Sequence, residues 1–177
     1  PRSSHPELTF IPHNIVLSIM DDVQSGTLPH HETFGGHHKS EVYSDDWFIS
    51  PFNRYCADFF RYEASGKVVA AALDAEERSK AEKTILTLNL NAEYLVARRR
   101  TSLQEIEARI GTIETLNGDL CKQPSLPNEA AGDQSTPTEL IHLAKSFLAP
   151  VYRKLPEFYS AKKQLFERYG LSFPLPL

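Results

Sequence analysis

Residues 67–117 read KVVAAALDAEERSKAEKTILTLNLNAEYLVARRRTSLQEIEARIGTIETLN. The stretch holds no proline, its only interior glycine is Gly111, and it is rich in Ala, Leu, Glu, Lys and Arg, all good helix formers. The apolar residues Ile85, Leu88, Ala92, Leu95, Leu103, Ile106, Ile110 and Ile113 step mostly by three and four. That spacing gathers them on one helical face. Arg99 occupies the seam between Leu95 and Leu103. The opposite face carries Glu82, Lys83, Arg98, Arg100, Glu105, Glu107 and Arg109. The spacing predicts one long helix over 67–117, about 75 Å at 1.5 Å per residue. The weakest part is Thr84, Thr87, Asn89 and Asn91, poor helix formers at which a bend or break is acceptable.

A helix of that length has to cover its stripe with another helix, so the rest of the chain reads as approach and return. Pro12 and the face of Ile15, Ile19 and Val23 predict a helix over 13–24, closed by Gly26. Residues 26–50 have neither helical nor strand period and read as a long ordered loop rich in His and Gly. Ser50-Pro51 looks like a cap and first turn, opening an aromatic helix over 51–65 that holds Phe52, Tyr55, Phe59, Phe60 and Tyr62. Residues 119–136 are a breaker-rich linker. Thr136-Pro137-Thr138-Glu139 restarts helix, and return helices cover 137–169, split by Pro150 and Pro156 and ended by Gly170. An apolar tail, 170–177, follows. No adjacent strand-like runs joined by a hairpin turn stand out. The expected fold is all-α in a single domain, 1–177: a long central helix with antiparallel return helices, as a helical bundle or coiled-coil-like hairpin, plus the His-rich loop.

Composition excludes more than it names. The chain has 177 residues, a net charge of −4 and 41% apolar residues. The charge argues against a broad nucleic-acid surface. No apolar run approaches the length of a membrane span. Two distant cysteines, Cys56 and Cys121, form no disulfide framework and no CxxC unit, which fits a reducing cytoplasmic setting.

Two residue sets carry the functional expectations. The first is the apolar seam and tail: Leu95, Arg99, Leu103, Ile106, Ile110, Ile113, Phe173 and Leu175. These predict a partner-binding face, for another protein or a second copy of the chain, with Arg99 fixing register as polar seam residues do. The second is His30, His31, His37 and His38 with Glu32, imidazole and carboxylate groups suited to zinc or another divalent metal. Their spacing matches no standard metal motif. The basic triplet Arg98-Arg99-Arg100 is a further candidate, for phosphate or an acidic partner.

His30-His31, Gly35-Gly36, Lys39, Asp45-Asp46-Trp47-Phe48-Ile49-Ser50-Pro51 and Arg54-Tyr55-Cys56 together resemble, within residues 30–56, phage-type HNH nucleases. The resemblance implies a metal-dependent nuclease. It departs from that family where later metal-binding histidines belong, since Ala57 and aromatic residues stand there, and no second Cys pair is present. The leading expectation is therefore a non-enzymatic interaction protein without a cofactor: an adaptor, immunity-type protein or assembly subunit. The alternative is a small metal-dependent hydrolase or nuclease using the His30–His38 loop.

Overall fold

A computed structural model describes residues 26–39, 44, 46–71, 74–121, 138–152 and 154–172. The expected helix over 13–24, most of the linker, and Phe173 and Leu175 lie outside the described residues. Contacts gather into two compact units, residues 1–100 and 101–177. The all-α bundle expectation is corrected. The chain is helix-dominated but mixed, with a two-stranded antiparallel sheet and no bundle.

In order, the described elements are a 3-10 turn at His30–Glu32, α1 (Gly36–Lys39), and a 3-10 turn at Cys56–Phe59. Strands β1 (Phe60–Tyr62) and β2 (Val68–Ala70) follow, then α2 (Ala75–Thr87), α3 (Glu93–Cys121), α4 (Thr138–Leu148) and α5 (Tyr159–Arg168). The expected 51–65 helix is therefore turn and strand, and the expected 67–117 helix is β2, α2 and α3.

The hairpin explains the first correction. Phe60 pairs with Ala70 and Tyr62 with Val68. The loop Ala64-Ser65-Gly66 closes with Gly66 N–H donating to the Glu63 carbonyl and Glu63 N–H to the Lys67 carbonyl, each at 2.9 Å. Gly66 adopts φ +86, the left-handed residue that three-residue hairpin loops require. Space demands glycine as well. An added Cβ would run into the Val96 carbonyl oxygen and the Arg100 backbone nitrogen of α3.

The second correction lies in the helix stop. Asp74 caps the start of α2, its Oδ1 accepting from Glu77 N–H at 2.9 Å. At the other end Asn89 takes φ +47. Asn89 N–H donates to the Leu86 carbonyl at 3.1 Å, and Leu90 N–H reaches back to the Ile85 carbonyl at 3.0 Å. This is the Schellman arrangement with Asn in the left-handed position, and Leu90 packs against the cluster that holds Ile85. α3 then begins afresh at Glu93. It spans about 43 Å at 1.5 Å per residue, far short of the length expected for one continuous rod.

The first unit has its core between hairpin and α2: Ile49, Phe60, Val68, Ala81 and Ile85, flanked by Cys56, Phe59, Tyr62, Ala70 and Leu90. Buried Thr84 turns its Oγ1 to accept from Ile49 N–H at 3.1 Å, so its hydroxyl ties the incoming chain to α2. Asn91 finishes the outer edge of β2 as a neighbouring strand would. Its Oδ1 accepts from Val68 N–H and its Nδ2 donates to the Val68 carbonyl, both at 2.8 Å.

In the second unit the buried side chains include Leu103, Ile106 and Ile110 of α3, Leu140, Ala144 and Leu148 of α4, and Ala161, Lys162, Leu165 and Phe166 of α5, with Leu171 just beyond it. Phe147 has the Arg109 guanidinium 5.2 Å and the Lys162 ammonium 5.7 Å from its ring centroid. α5 ends as the composition predicts. Gly170 takes φ +81, and Leu171 N–H returns to the Phe166 carbonyl at 3.3 Å, a second Schellman stop.

Two outcomes test this description. Gly66→Ala costs about 2 kcal/mol or more, because left-handed strain and a backbone clash coincide, while Asn91→Ala costs roughly 1–2 kcal/mol. Urea melts rank them, and an unchanged midpoint for Gly66→Ala counts against the hairpin. The second outcome concerns Tyr62. Burial raises its phenol above the ordinary value, partly offset by the Arg99 charge, with a Cys56 thiolate adding to the rise. The unfolded chain then loses this proton first, so stability falls as pH climbs past about 10. Tyr62→Phe removes that part of the alkaline loss, read from melts across the pH range.

Candidate functional site

The histidine segment is anchored from the α2–α3 connector. Asn89 Nδ2 donates to the carbonyls of His31, at 2.9 Å, and Thr33, at 2.7 Å. Gly35 N–H donates to the Leu88 carbonyl at 2.8 Å. Phe34 is buried and lies parallel to the Tyr94 ring, centroids 6.3 Å apart. This loop is expected from composition to be ordered, and its anchors are an asparagine amide and a helix-end carbonyl.

Of the expected metal ligands, the structure brings His30 and His38 together. Their rings stack with centroids 4.5 Å apart and 27° between planes. His38 Nδ1 lies 3.0 Å from the His30 carbonyl oxygen, to which Thr33 Oγ1 also donates at 2.7 Å. A carbonyl only accepts, so His38 Nδ1 carries hydrogen and Nε2 holds the lone pair. Imidazole lone pairs lie in the ring plane, so two stacked rings present faces to each other and not a shared ligand position. His31 lies outward, its Nε2 3.6 Å from Glu32 Oε1 with both side chains exposed. Among the described residues no three His, Cys, Asp or Glu side chains converge as a metal set.

The expected partner seam is placed inside the chain. Leu95, Leu103, Ile106 and Ile110 are buried and Ile113 half-buried. Arg99 is 4% exposed, and its guanidinium donates to the Gly66 and Leu90 carbonyls, each at 2.5 Å, with the Tyr62 ring centroid 5.9 Å away. It therefore ties the hairpin loop and the connector to α3. In the basic triplet, Arg98 Nη1 donates to Tyr94 Oη at 2.7 Å, and Arg98 and Arg100 are exposed while Arg99 is buried, so the three guanidinium groups do not share one surface.

Two surface features went unread in the sequence. The first is the link between α4 and α5. Val151 and Lys154 exchange two backbone hydrogen bonds, both 2.9 Å, closing a two-residue loop. At its tip Tyr152 has φ +51 and is 94% exposed. Val151 and Leu155 are exposed beside it. Pro150 and Pro156 bracket this segment, and they are the signal that could have marked it as a separate projection rather than a kinked helix. The second feature is a groove of about 290 Å³ lined by Asn53, Tyr55, Asp58, Phe59 and Glu77. Arg54 covers Tyr55, 4.9 Å from its ring centroid.

Cys56, beside this groove, is a free, half-buried thiol. Burial, and then the charge of Asp58, push its pKa up, which makes it a weak nucleophile. No helix among the described residues is long and apolar enough to cross a membrane. Compared with known protein-family models and with curated proteins, the chain matches none.

Asn89→Gly separates backbone conformation from amide. Glycine keeps the left-handed stop but gives up two hydrogen bonds worth about 1 kcal/mol each. Hydrogen exchange at Gly35 and Lys39 then rises roughly ten- to hundredfold, while α2 keeps its protection. Unchanged exchange in the 30–39 segment would show that the amide does not hold it.

Proposed function

We propose that the chain is a non-enzymatic interaction protein, an adaptor, immunity-type protein or assembly subunit, that contacts its partner through the Val151–Leu155 turn. The single observation that carries this reading is Tyr152. A tyrosine in the left-handed region costs about 1 kcal/mol or more relative to Gly or Asn, and at 94% exposure it recovers no burial within the chain. Nothing in folding favours it there. Tyrosine is also among the residues that dominate binding energy at protein interfaces, being large, rigid and tipped with a polar group. The seam residues Leu95, Leu103, Ile106 and Ile110 are buried in their own chain, which favours the exposed turn over the seam as the contact. A cytoplasmic location suits the protonated, half-buried Cys56 thiol.

The second reading, a metal-dependent hydrolase or nuclease at the histidine segment, draws on His38. A backbone contact at Nδ1 with a lone pair left on Nε2 is how metal-binding histidines are often oriented. It supplies one ligand, and the stacked His30 does not add another in this arrangement.

Tyr152→Asn tests the leading reading. It leaves the thermal midpoint unchanged or raises it slightly, since asparagine tolerates the left-handed backbone. A photo-cross-linking residue at position 152, placed in the native host, gives a discrete protein adduct that the same residue at exposed Glu82 does not. Identical patterns at both positions would end the proposal. Native mass spectrometry decides the alternative: one tightly held divalent ion, lost on His38→Ala, favours the metal reading.

A further inference from the structure

The exposed turn and the groove are chemically complementary. The groove is lined by the aromatic side chains of Tyr55 and Phe59 and by the acidic residues Asp58 and Glu77, with the Arg54 guanidinium over the Tyr55 ring. The backbone N–H groups of Asp58 and Glu77 are engaged, donating to the Tyr55 carbonyl and to Asp74 Oδ1. Their carboxylates make no ion pair among the described residues. The turn presents a nearly fully exposed phenol ring, and two residues on an exposed lysine, Lys154. A ring entering against Phe59 gains contact and burial, and an ammonium arriving beside it meets the carboxylates of Asp58 and Glu77. The groove is sized for one side chain, not for a helix or a folded surface.

We infer that the Val151–Lys154 turn of one molecule docks, Tyr152 foremost, into the Tyr55–Phe59 groove of a second copy of this chain. The inference rests on the interaction reading above and names its partner. Turn and groove are different surfaces, so each contact pairs the turn of one molecule with the groove of another. A single turn in a single groove buries less than the roughly 1,200 Å² of a stable standard interface, so association is weak, rises with concentration, and falls with salt through the Lys154 contribution.

The test uses full-length protein and two surface variants, each first checked for an unchanged melting curve. One lacks the turn chemistry (Tyr152→Asn with Lys154→Ser), the other the groove chemistry (Asp58→Asn and Glu77→Gln with Tyr55→Ser). Sedimentation velocity over a concentration series should show wild type associating as concentration rises. Either variant alone should associate at least tenfold more weakly. An equimolar mixture of the two should recover association but stop at the dimer, because one intact turn meets one intact groove and neither end extends. A wild type that stays monomeric throughout would overturn the inference, as would variants that assemble like wild type or a mixture that grows beyond the dimer. If residue 152 cross-links to other proteins and never to a second copy, the interaction reading stands and this inference falls.

Discussion

The structure depends on how helix α2 is stopped. The left-handed Asn89 ends it, and four groups around that stop then organise the first unit. The Leu88 carbonyl takes Gly35, the Asn89 amide takes His31 and Thr33, the Leu90 carbonyl takes Arg99, and the Asn91 amide takes both sides of Val68. A continuous helix through 88–92 would spend the Leu88 and Leu90 carbonyls inside its own ladder and point the two asparagine side chains elsewhere. The break makes them available to the histidine segment, to the hairpin and to the next helix. What reads as a defect in helix propensity is the junction of the unit.

Part of this was legible from spacing and capping chemistry. The seam of α3, the stop at Gly170 and the interruption between Pro150 and Pro156 follow from rules that act over one or two helical turns. The weak stretch Thr84–Asn91 showed where a break would be tolerated, though not what the asparagines do once the helix ends. The hairpin was not legible because strands of three residues are too short to show a two-residue period. Its residues Val68, Val69 and Ala70 run directly into good helix formers, so local preference pointed the wrong way. The signal was Glu63-Ala64-Ser65-Gly66-Lys67, a three-residue loop with glycine in the left-handed place, which reads as a hairpin only if the flanks are already suspected to be strands.

The candidate sites show the same division. The spacing places Arg99 in the apolar seam, and its partners there are the Gly66 and Leu90 carbonyls. These lie 33 and 9 residues away, too far for a pattern rule to name. Leu103, Ile106 and Ile110 are 2% exposed or less, so the apolar seam contributes to the stability of its own chain. The residues left exposed are ones the periodic pattern treats as filler, and the Val151–Leu155 turn is such a place. The histidines, conspicuous in composition, are divided by local geometry into a stacked pair and an outward His31 held by its neighbour.

Position 89 meets two separate demands. The backbone has to sit in the left-handed region, which narrows the choice to glycine, asparagine and aspartate. The side chain has to donate twice to carbonyls, His31 and Thr33, which among short side chains calls for an amide. Asparagine alone satisfies both. Glycine satisfies the first and glutamine the second. Any lineage that changes this residue therefore has to change a second feature with it, either the path of the 30–39 segment or the place where α2 ends. A single substitution at one solvent-side helix terminus would thus be visible as coupled variation in a segment 58 residues upstream.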